Sequence, residues 1–389
     1  MPEPVAMEIA FVYDAVFPYV KGGVERRIWE IALRLSGKGH RVHIIGMKWW
    51  DGNDILVKDG VILHGVCPAQ HLYANGRRTV TEALRFGISL FFHFPRKKFD
   101  IIDCQQFPFF SCFPTRAIAA FRRTPLIITW HEFWGDYWYA YLGRVGVFGK
   151  GIERIVVRLT PHRIAVSKTT SAFLKKTGRV PAAVIIPNGV DQDRVAAIRP
   201  APEPSDICFA GRLIREKHVD LLIRAFAIVS SEQPELRLRI IGEGPERQPI
   251  LDLIRTLRLD NRITVSDFLP GPDDLIAQMK ASKIFVIPST REGFGIAALE
   301  ALACGIPVIT INHPANAIRD LITEKTGFLC ALSPEDLARS IREALRRHAD
   351  MREDCIAVAR RYDWDHIAEG YEEYCRSVLA EKGSATKND

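Results

Sequence analysis

Residues 284–310 read IFVIPSTREGFGIAALEALACGIPVIT. Ile284–Ile287 is a short β-branched and aromatic run ended by a proline, the pattern of a buried strand. Gly293 and Gly295 flank Phe294 and open a helix expected over Ile296–Cys304. Pro307–Thr310 reads as the next strand. A strand, a tight turn, a helix and a second strand make one crossover unit of a parallel sheet.

The same alternation extends in both directions. Before this stretch, strands are expected at Ile207–Ala210, Leu236–Ile241 and Ile263–Ser266, with helices at Val219–Ser230, Pro245–Leu257 and Asp273–Ala281. An earlier series begins with strand Ile9–Tyr13, helix Val24–Ser36 and strand His40–Gly46. It continues through Ile101–Asp103, Leu126–Thr129, Arg163–Val166 and Ala183–Ile186. Alternating strands and helices predict an α/β protein with parallel sheets covered on both faces. The two series are separated by DQDRVAAIRPAPEPSD (191–206), rich in Pro and charge, which reads as a linker. Two doubly wound domains follow: 1–190, and 205–360. Tyr362, Trp364, Ile367, Tyr371, Tyr374 and Val378 have helical spacing, so 361–380 is expected to form a helix with one apolar face. The last residues, 382–389, are expected to be disordered.

Composition narrows the class. A chain of 389 residues with 47% hydrophobic and 25% charged residues is that of an ordinary globular protein long enough for two cores. No run approaches the ~18 apolar residues of a membrane span, and the N-terminus lacks the layout of a signal peptide. The eight cysteines, at 67, 104, 112, 208, 304, 330, 355 and 375, form no C-x-x-C pair and no zinc spacing. They point to a reducing cytosol and no metal site. The first 200 residues hold 28 Lys and Arg against 16 Asp and Glu, and the rest hold 25 against 30. The basic half suits an anionic partner surface, or is simply a solvated basic face.

Several residues fall on the C-terminal edges of expected strands, where open α/β sheets bind ligands. Gly22 and Gly23 precede the first helix, a place for a ligand to approach free amides or only a tight turn. After Ile207–Ala210 comes GRLIREK: Arg212 and Lys217 could neutralise a diphosphate, with Gly211 admitting it closely. Alone, the pair reads equally as a charged loop in which Glu216 partners one cation. IIGEGPER places Gly242 and Gly244 at the next strand end, where they are candidates for binding the donor, though without the third glycine of a dinucleotide loop. Glu292, followed by the amides of Gly293, Phe294 and Gly295, suits sugar hydroxyls. Glu300, inside a helix lined by alanines, suits a ribose diol. Two carboxylates for two polyols, with two cations between, describe a nucleotide-sugar. A lone pair of acids at this spacing would otherwise be a surface helix with a favourable N-terminal charge.

These motifs occur together. EGFGIAALEALACGIPVI, FAGRLIREKHVDLLIRAF, IIGEGPER, GGVERRIWEIALRLSGKGHRVHIIG and IIPNGVD run in order along nearly the whole chain. The sequence resembles the retaining glycosyltransferases of family 4. That resemblance implies the GT-B fold, two Rossmann-like doubly wound domains facing each other across a cleft. It implies that Arg212 and Lys217 bind the donor diphosphate and stabilise the leaving group, that Glu292 holds the transferred sugar, and that Glu300 binds the ribose. Gly22, Gly23 and Asn188 would line the cleft, and the tail helix would return to the first domain. His131, in IITWHEFWGDYW, matches the family histidine that approaches the reacting sugar. Segments 47–99 and 133–160 match nothing in the family pattern.

The implied reaction moves a sugar from a nucleotide-diphosphate sugar to an acceptor hydroxyl with retention, through an oxocarbenium-like transition state. No Asp-x-Asp stands at a strand end, so no metal or cofactor is expected. Closure about 190–206 would exclude water. Trp49-Trp50, the stretch 83–98 and Arg122-Arg123 mix aromatic and basic residues. They point to a lipid-linked or cell-envelope acceptor and a cytoplasmic protein peripheral to the membrane; the alternative is a core helix with a basic turn. No nucleic-acid partner is expected. The competing readings are a nucleotide-sugar 2-epimerase of the same architecture and a non-catalytic nucleotide-sugar binder.

Overall fold

The structure is a computed structural model and describes residues 5–70, 72–74 and 77–385. The chain divides into two compact units, Met1–Asn188 with Trp364–Asp389, and Gly189–Asp363.

The first unit contains β1 (Glu8–Val12), β2 (Arg41–Lys48), β3 (Ile55–Lys58), β4 (Val61–Pro68), β5 (Tyr73–Ala74), β6 (Arg77–Arg78), β7 (Ile101–Gln105), β8 (Leu126–Trp130), β9 (His162–Ala165) and β10 (Val184–Ile185). Eight of them form one sheet in the order β10-β9-β8-β7-β1-β2-β4-β3. Every pairing is parallel except β3 with β4. That hairpin turns at Asp59 and Gly60, with φ of 50° and 81°, the two left-handed residues of a two-residue turn matched to strand twist.

The second unit contains β11 (Ser205–Ala210), β12 (Leu238–Ile241), β13 (Ile263–Ser266), β14 (Ser282–Ile287), β15 (Val308–Ile311) and β16 (Gly327–Cys330). All pair in parallel in the order β13-β12-β11-β14-β15-β16. This is the 3-2-1-4-5-6 order of a doubly wound nucleotide-binding sheet, with its switch point between β11 and β14. The first unit reverses in the same way between β1 and β7. In both, apolar side chains cover the sheet: Phe209, Ile240, Phe285 and Ile309 are fully buried, as are Ile9, Ile102, Ile127 and Ile164.

Trp364–Ala385 is a single helix of the first unit. Trp364, Tyr371, Cys375 and Val378 are buried in one core with Ile28, Ile31 and Leu35 of helix Gly23–Gly37. Each such large side chain contributes roughly 1.5–3 kcal/mol by leaving water. Arg34–Asp365 (2.5 Å) and Lys38–Glu372 (3.3 Å) flank the seam.

Two expectations need correction. The stretch 191–206 is no free linker: Asp191 caps a helix, Gln192–Ala197, by accepting from the Arg194 amide at 2.8 Å. Lys280 Nζ then donates to the Ile198 carbonyl (2.7 Å), and the Ala201 amide donates to Ala277 (2.9 Å). The proline-rich composition hid a segment pinned to the second unit. The tail helix also runs beyond its expected end, through 382–385; 386–389 lie outside the described residues.

Candidate active site

In the second unit two of the predicted donor residues, Lys217 and Glu292, meet at the β11/β14 switch point. The loop after β11 carries Gly211, Arg212 and Lys217; the loop after β14 carries Glu292–Gly295. Lys217 Nζ forms an ion pair with Glu292 Oε1, and Ser289 Oγ donates to the same oxygen at 2.9 Å. The two loops are also stitched by the Thr290 amide to the Glu216 carbonyl (3.1 Å) and by His218 Nε2 to Thr290 Oγ1 (3.0 Å). Glu292 is fixed from the other side: its amide donates to Ala315 and its carbonyl accepts from Ala317, both at 3.0 Å. Asn316, fully buried, holds that return strand through Thr310 Oγ1 (2.8 Å) and the Ile311 carbonyl (2.9 Å). Arg212 is exposed at the loop tip.

Gly295 precedes helix Ile296–Ala303 at φ 93°, and a Cβ there would meet Ile318 Cγ1 at 2.2 Å. Only glycine combines that backbone with that contact. Phe294 turns inward, buried against Tyr362 with ring centroids 5.9 Å apart; only its main chain belongs to the turn, with that of Gly293. Glu300 is buried in the helix. Gly242 and Gly244 have a structural reason to be glycine. A Cβ would stand 1.9 Å from the Gly211 carbonyl oxygen and 2.2 Å from that of Leu213. Their loop instead supports the Arg212 loop, with the Leu213 amide donating to Glu243 at 2.7 Å.

In the first unit His131 follows β8. Its amide donates to Gln106 Oε1 at 2.9 Å, and its ring Nε2 lies 2.7 Å from Gln105 Oε1. Gln105 Nε2 donates to Asp103 Oδ1 at 3.2 Å. Asp103, fully buried in β7, also accepts from Thr129 (2.9 Å) and from Tyr371 of the tail helix (3.0 Å). Arg27 is buried beside this group and reaches Asn188 Oδ1 at 3.2 Å and the Pro187 carbonyl. Burial, then the Arg27 charge, pushes the His131 imidazolium down to about 3. Burial pushes the Asp103 carboxyl up to about 6, against the donors around it. Gly22 caps helix Gly23–Gly37, and the Glu25 carboxylate folds back to within 2.4 Å of where a Gly22 Cβ would stand. That close approach is internal; Gly23 is exposed at the helix start.

Sequence reasoning missed Arg27, Asp103, Gln105, Ser289 and Asn316. The signal for two of them was present: IIDCQQ puts Asp103 and Gln105 in a buried strand beside the one that leads to His131.

Of the residues read as membrane-facing, Trp49 and Trp50 are packed, with indole nitrogens donating to Asp14 and Asn53 carbonyls at 2.8 Å. Arg122 is a clasp, donating to Pro95 and Lys97 carbonyls at 2.6 and 2.9 Å. The stretch 83–98 does expose apolar side chains, and a second helix adds to them. Helix Val80–His93 presents Val80, Leu84, Ile88, Phe91 and Phe92, the last 73% exposed. Helix Gly146–Val156 and its approach present Val145, Val147, Phe148 and Ile155, with Phe148 70% exposed. Both helices pack on the turn Phe109–Ser111. Each has one acid, Glu82 or Glu153, and both acids are buried. Glu153 accepts from the Trp134 and Gly135 amides at 2.8 Å, pinning the loop after His131. Exposed cations on and beside these helices include Arg85, Arg144 and Arg154. No helix among the described residues is long and apolar enough to cross a membrane.

Two sheets with doubly wound strand order, one with a cation and an acid paired at its switch point, place the chain in a two-domain α/β class whose ligand edge lies at that point. Two family models match in succession: Glycosyltransferase Family 4 over residues 21–194 and Glycosyl transferases group 1 over 191–362. The chain belongs to the family 4, group 1 glycosyltransferases and has the GT-B fold. A glycogen synthase of Mycobacterium tuberculosis is 26% identical over 395 aligned residues, 93% of this chain and 92% of its own. Sucrose-phosphate synthase from Thermosynechococcus elongatus superposes with a TM-score of 0.80 at 19% identity, over 96% of this chain and 99% of the other. Anabaena Alr3699/HepE, solved with UDP and glucose, gives 0.72 at 20%, over 95% and 100%. At these identities the structural likeness is one of fold.

Proposed function

We propose that this glycosyltransferase takes a hexose from a nucleotide-diphosphate sugar, UDP-linked as its relative's bound UDP suggests, and retains the anomeric configuration. The observation that carries this reading is the Lys217–Glu292 ion pair at the switch point, beside Arg212 and the Gly293–Gly295 turn. An arriving diphosphate competes with Glu292 for the Lys217 ammonium. The exchange leaves Glu292 as an acceptor for sugar hydroxyls and puts two cations on the leaving group, where negative charge develops. Glu300 then serves the ribose. On the first unit, His131 contributes a neutral imidazole to the reacting sugar, held by the Gln105 and Gln106 side chains. In this reading no metal takes part, so EDTA leaves the rate unchanged.

The test is a thermal-shift panel of UDP-, GDP- and ADP-sugars with NAD as control. At about 100 times its Kd a true donor stabilises by ~2.7 kcal/mol. A shift with NAD alone, or with no sugar nucleotide, overturns the reading.

The acceptor we propose is lipid-linked, presented at an anionic membrane surface that the two exposed helix faces engage. Apolar side chains flanked by cations, with both acids withdrawn into the interior, match such a surface in polarity and in charge. Sedimentation with vesicles of phosphatidylserine and phosphatidylcholine at low salt tests it. Equal recovery with and without the anionic lipid rejects it.

A further inference from the structure

We propose that Asp103, acting through Gln105, fixes the tautomer of His131, placing the ring proton on Nε2 and leaving Nδ1 bare to accept a substrate hydroxyl's hydrogen bond. The inference rests on the reading of His131 as a site residue.

The argument is a chain of donor and acceptor rules. An ionised carboxylate accepts and cannot donate. Everything that reaches Asp103 is a donor: the Thr129 hydroxyl at 2.9 and 3.0 Å from its two oxygens, and the Tyr371 hydroxyl at 3.0 Å. Burial pushes Tyr371 well above its ordinary range, so it keeps its proton. Gln105, 3.2 Å from Oδ1, must therefore present its NH2 to Asp103. An amide has one oxygen and one nitrogen in a plane, so that choice turns Oε1 toward His131, 2.7 Å from ring Nε2. Oε1 accepts only, and Nε2 must carry the proton. The ring is neutral, held so by burial and by Arg27, so its other nitrogen has none.

Asp103 and Gln105 are thus positioning residues. Neither was singled out by the motifs, and a fully buried carboxylate in a strand would otherwise be hard to explain. A ring free to choose would divide between tautomers, and only one of them offers an acceptor at Nδ1.

The experiment is ring-nitrogen NMR of the full-length protein labelled with [15N]histidine at neutral pH, with His131 assigned by its loss in His131→Gln. The wild-type ring is expected as the Nε2–H tautomer. In Asp103→Asn the new carboxamide can donate to Gln105, which lets the Gln105 amide turn over and present NH2 to the ring; the Nδ1–H tautomer is expected to appear. Gln105→Leu removes the link, and both tautomers are expected. A wild-type ring carrying its proton on Nδ1, or both variants keeping the wild-type tautomer, overturns the proposal. If Asp103→Asn does not fold, the wild-type spectrum and Gln105→Leu decide it. Turnover gives the second readout: with the wrong tautomer, kcat falls on the order of tenfold or more while the donor KM holds. If His131→Gln retains full activity while the tautomer behaves as proposed, the functional reading of His131 has failed and the relay has not.

Discussion

Lys217 and Glu292 occupy each other at the β11/β14 edge, so removing either side chain changes two things. On the proposed reading, Lys217→Ala takes a cation from the leaving diphosphate and leaves Glu292 with Ser289. Its kcat is expected to fall on the order of a hundredfold, the usual effect of losing one transition-state donor. Glu292→Gln keeps the shape and the bond to Ser289 but releases Lys217; donor binding by thermal shift is expected to survive while turnover collapses. His131 and Asp103 make a different prediction, about stability against pH. A histidine depressed from 6.5 to about 3 binds its proton only in the unfolded chain over that window, so stability is lost as pH falls from 6.5 toward 3. Asp103, raised from 3.8 to about 6, acts in the opposite sense: its proton is held in the folded state, and stability is lost as pH rises from 4 to 6. Over pH 4–6 the two oppose, each bounded by ~1.4 kcal/mol per pH unit. Denaturant unfolding at pH 4 and 6 checks it. His131→Gln is expected to lose more stability than wild type on going from pH 4 to 6, and Asp103→Asn to gain. At this scale the sequence made the second unit readable, because Arg212, Lys217 and Glu292 stand in short motifs at strand ends. Asp103 and Gln105 were legible only as polar residues in the strand IIDCQQ; their role was not, since it depends on a neighbour in another strand and on Tyr371, far away along the chain.

The elements tell a similar story of local against distant causes. The expected parallel strands formed within about two residues of their bounds, because buried β-branched runs depend on their own composition, while β4 and β16 were not expected. The hairpin of β3 and β4 carried its signal in KDGV, yet the segment around it matched no family motif, and the turn chemistry went unused. Helix Gln192–Ala197 failed for the opposite reason: its charges and the prolines that follow it imitate a linker, and the residues that fix it, Asp273, Lys280 and Ala303, lie far along the chain. Gly242 and Gly244 also have a packing reason to be glycine, which their motif did not show. This makes a test. Gly244→Ala forces a methyl against the Leu213 carbonyl, and overpacking of this kind destabilises by roughly 1–3 kcal/mol. Because Leu213 follows Arg212, donor affinity is expected to weaken along with the melting temperature. A Gly244→Ala protein that melts normally would show that the loop can give way.

At the scale of the whole molecule, charge and apolar exposure coincide. The excess of cations lies in the first 200 residues, and the exposed aromatics Phe91, Phe92 and Phe148 stand on two helices of the unit that those residues build. The two forces separate with salt. Attraction of Arg85, Arg144 and Arg154 to an anionic leaflet is worth ~1 kcal/mol per cation near the surface and is screened beyond ~8 Å at physiological ionic strength. Insertion of an aromatic ring is worth ~1.5–3 kcal/mol and hardly responds to salt. Wild-type protein is therefore expected to bind anionic vesicles with a steep salt dependence that levels off at a residual, aromatic-driven plateau. Arg144→Gln with Arg154→Gln should flatten the slope and spare the plateau. Phe92→Ser with Phe148→Ser should lower binding roughly tenfold or more at every salt concentration and abolish the plateau. Transfer to a detergent-dispersed acceptor should be unchanged in both, because none of these side chains lies among the site residues. If the Phe variant sediments like wild type, the rings do not enter the bilayer, and the two helix faces need another partner.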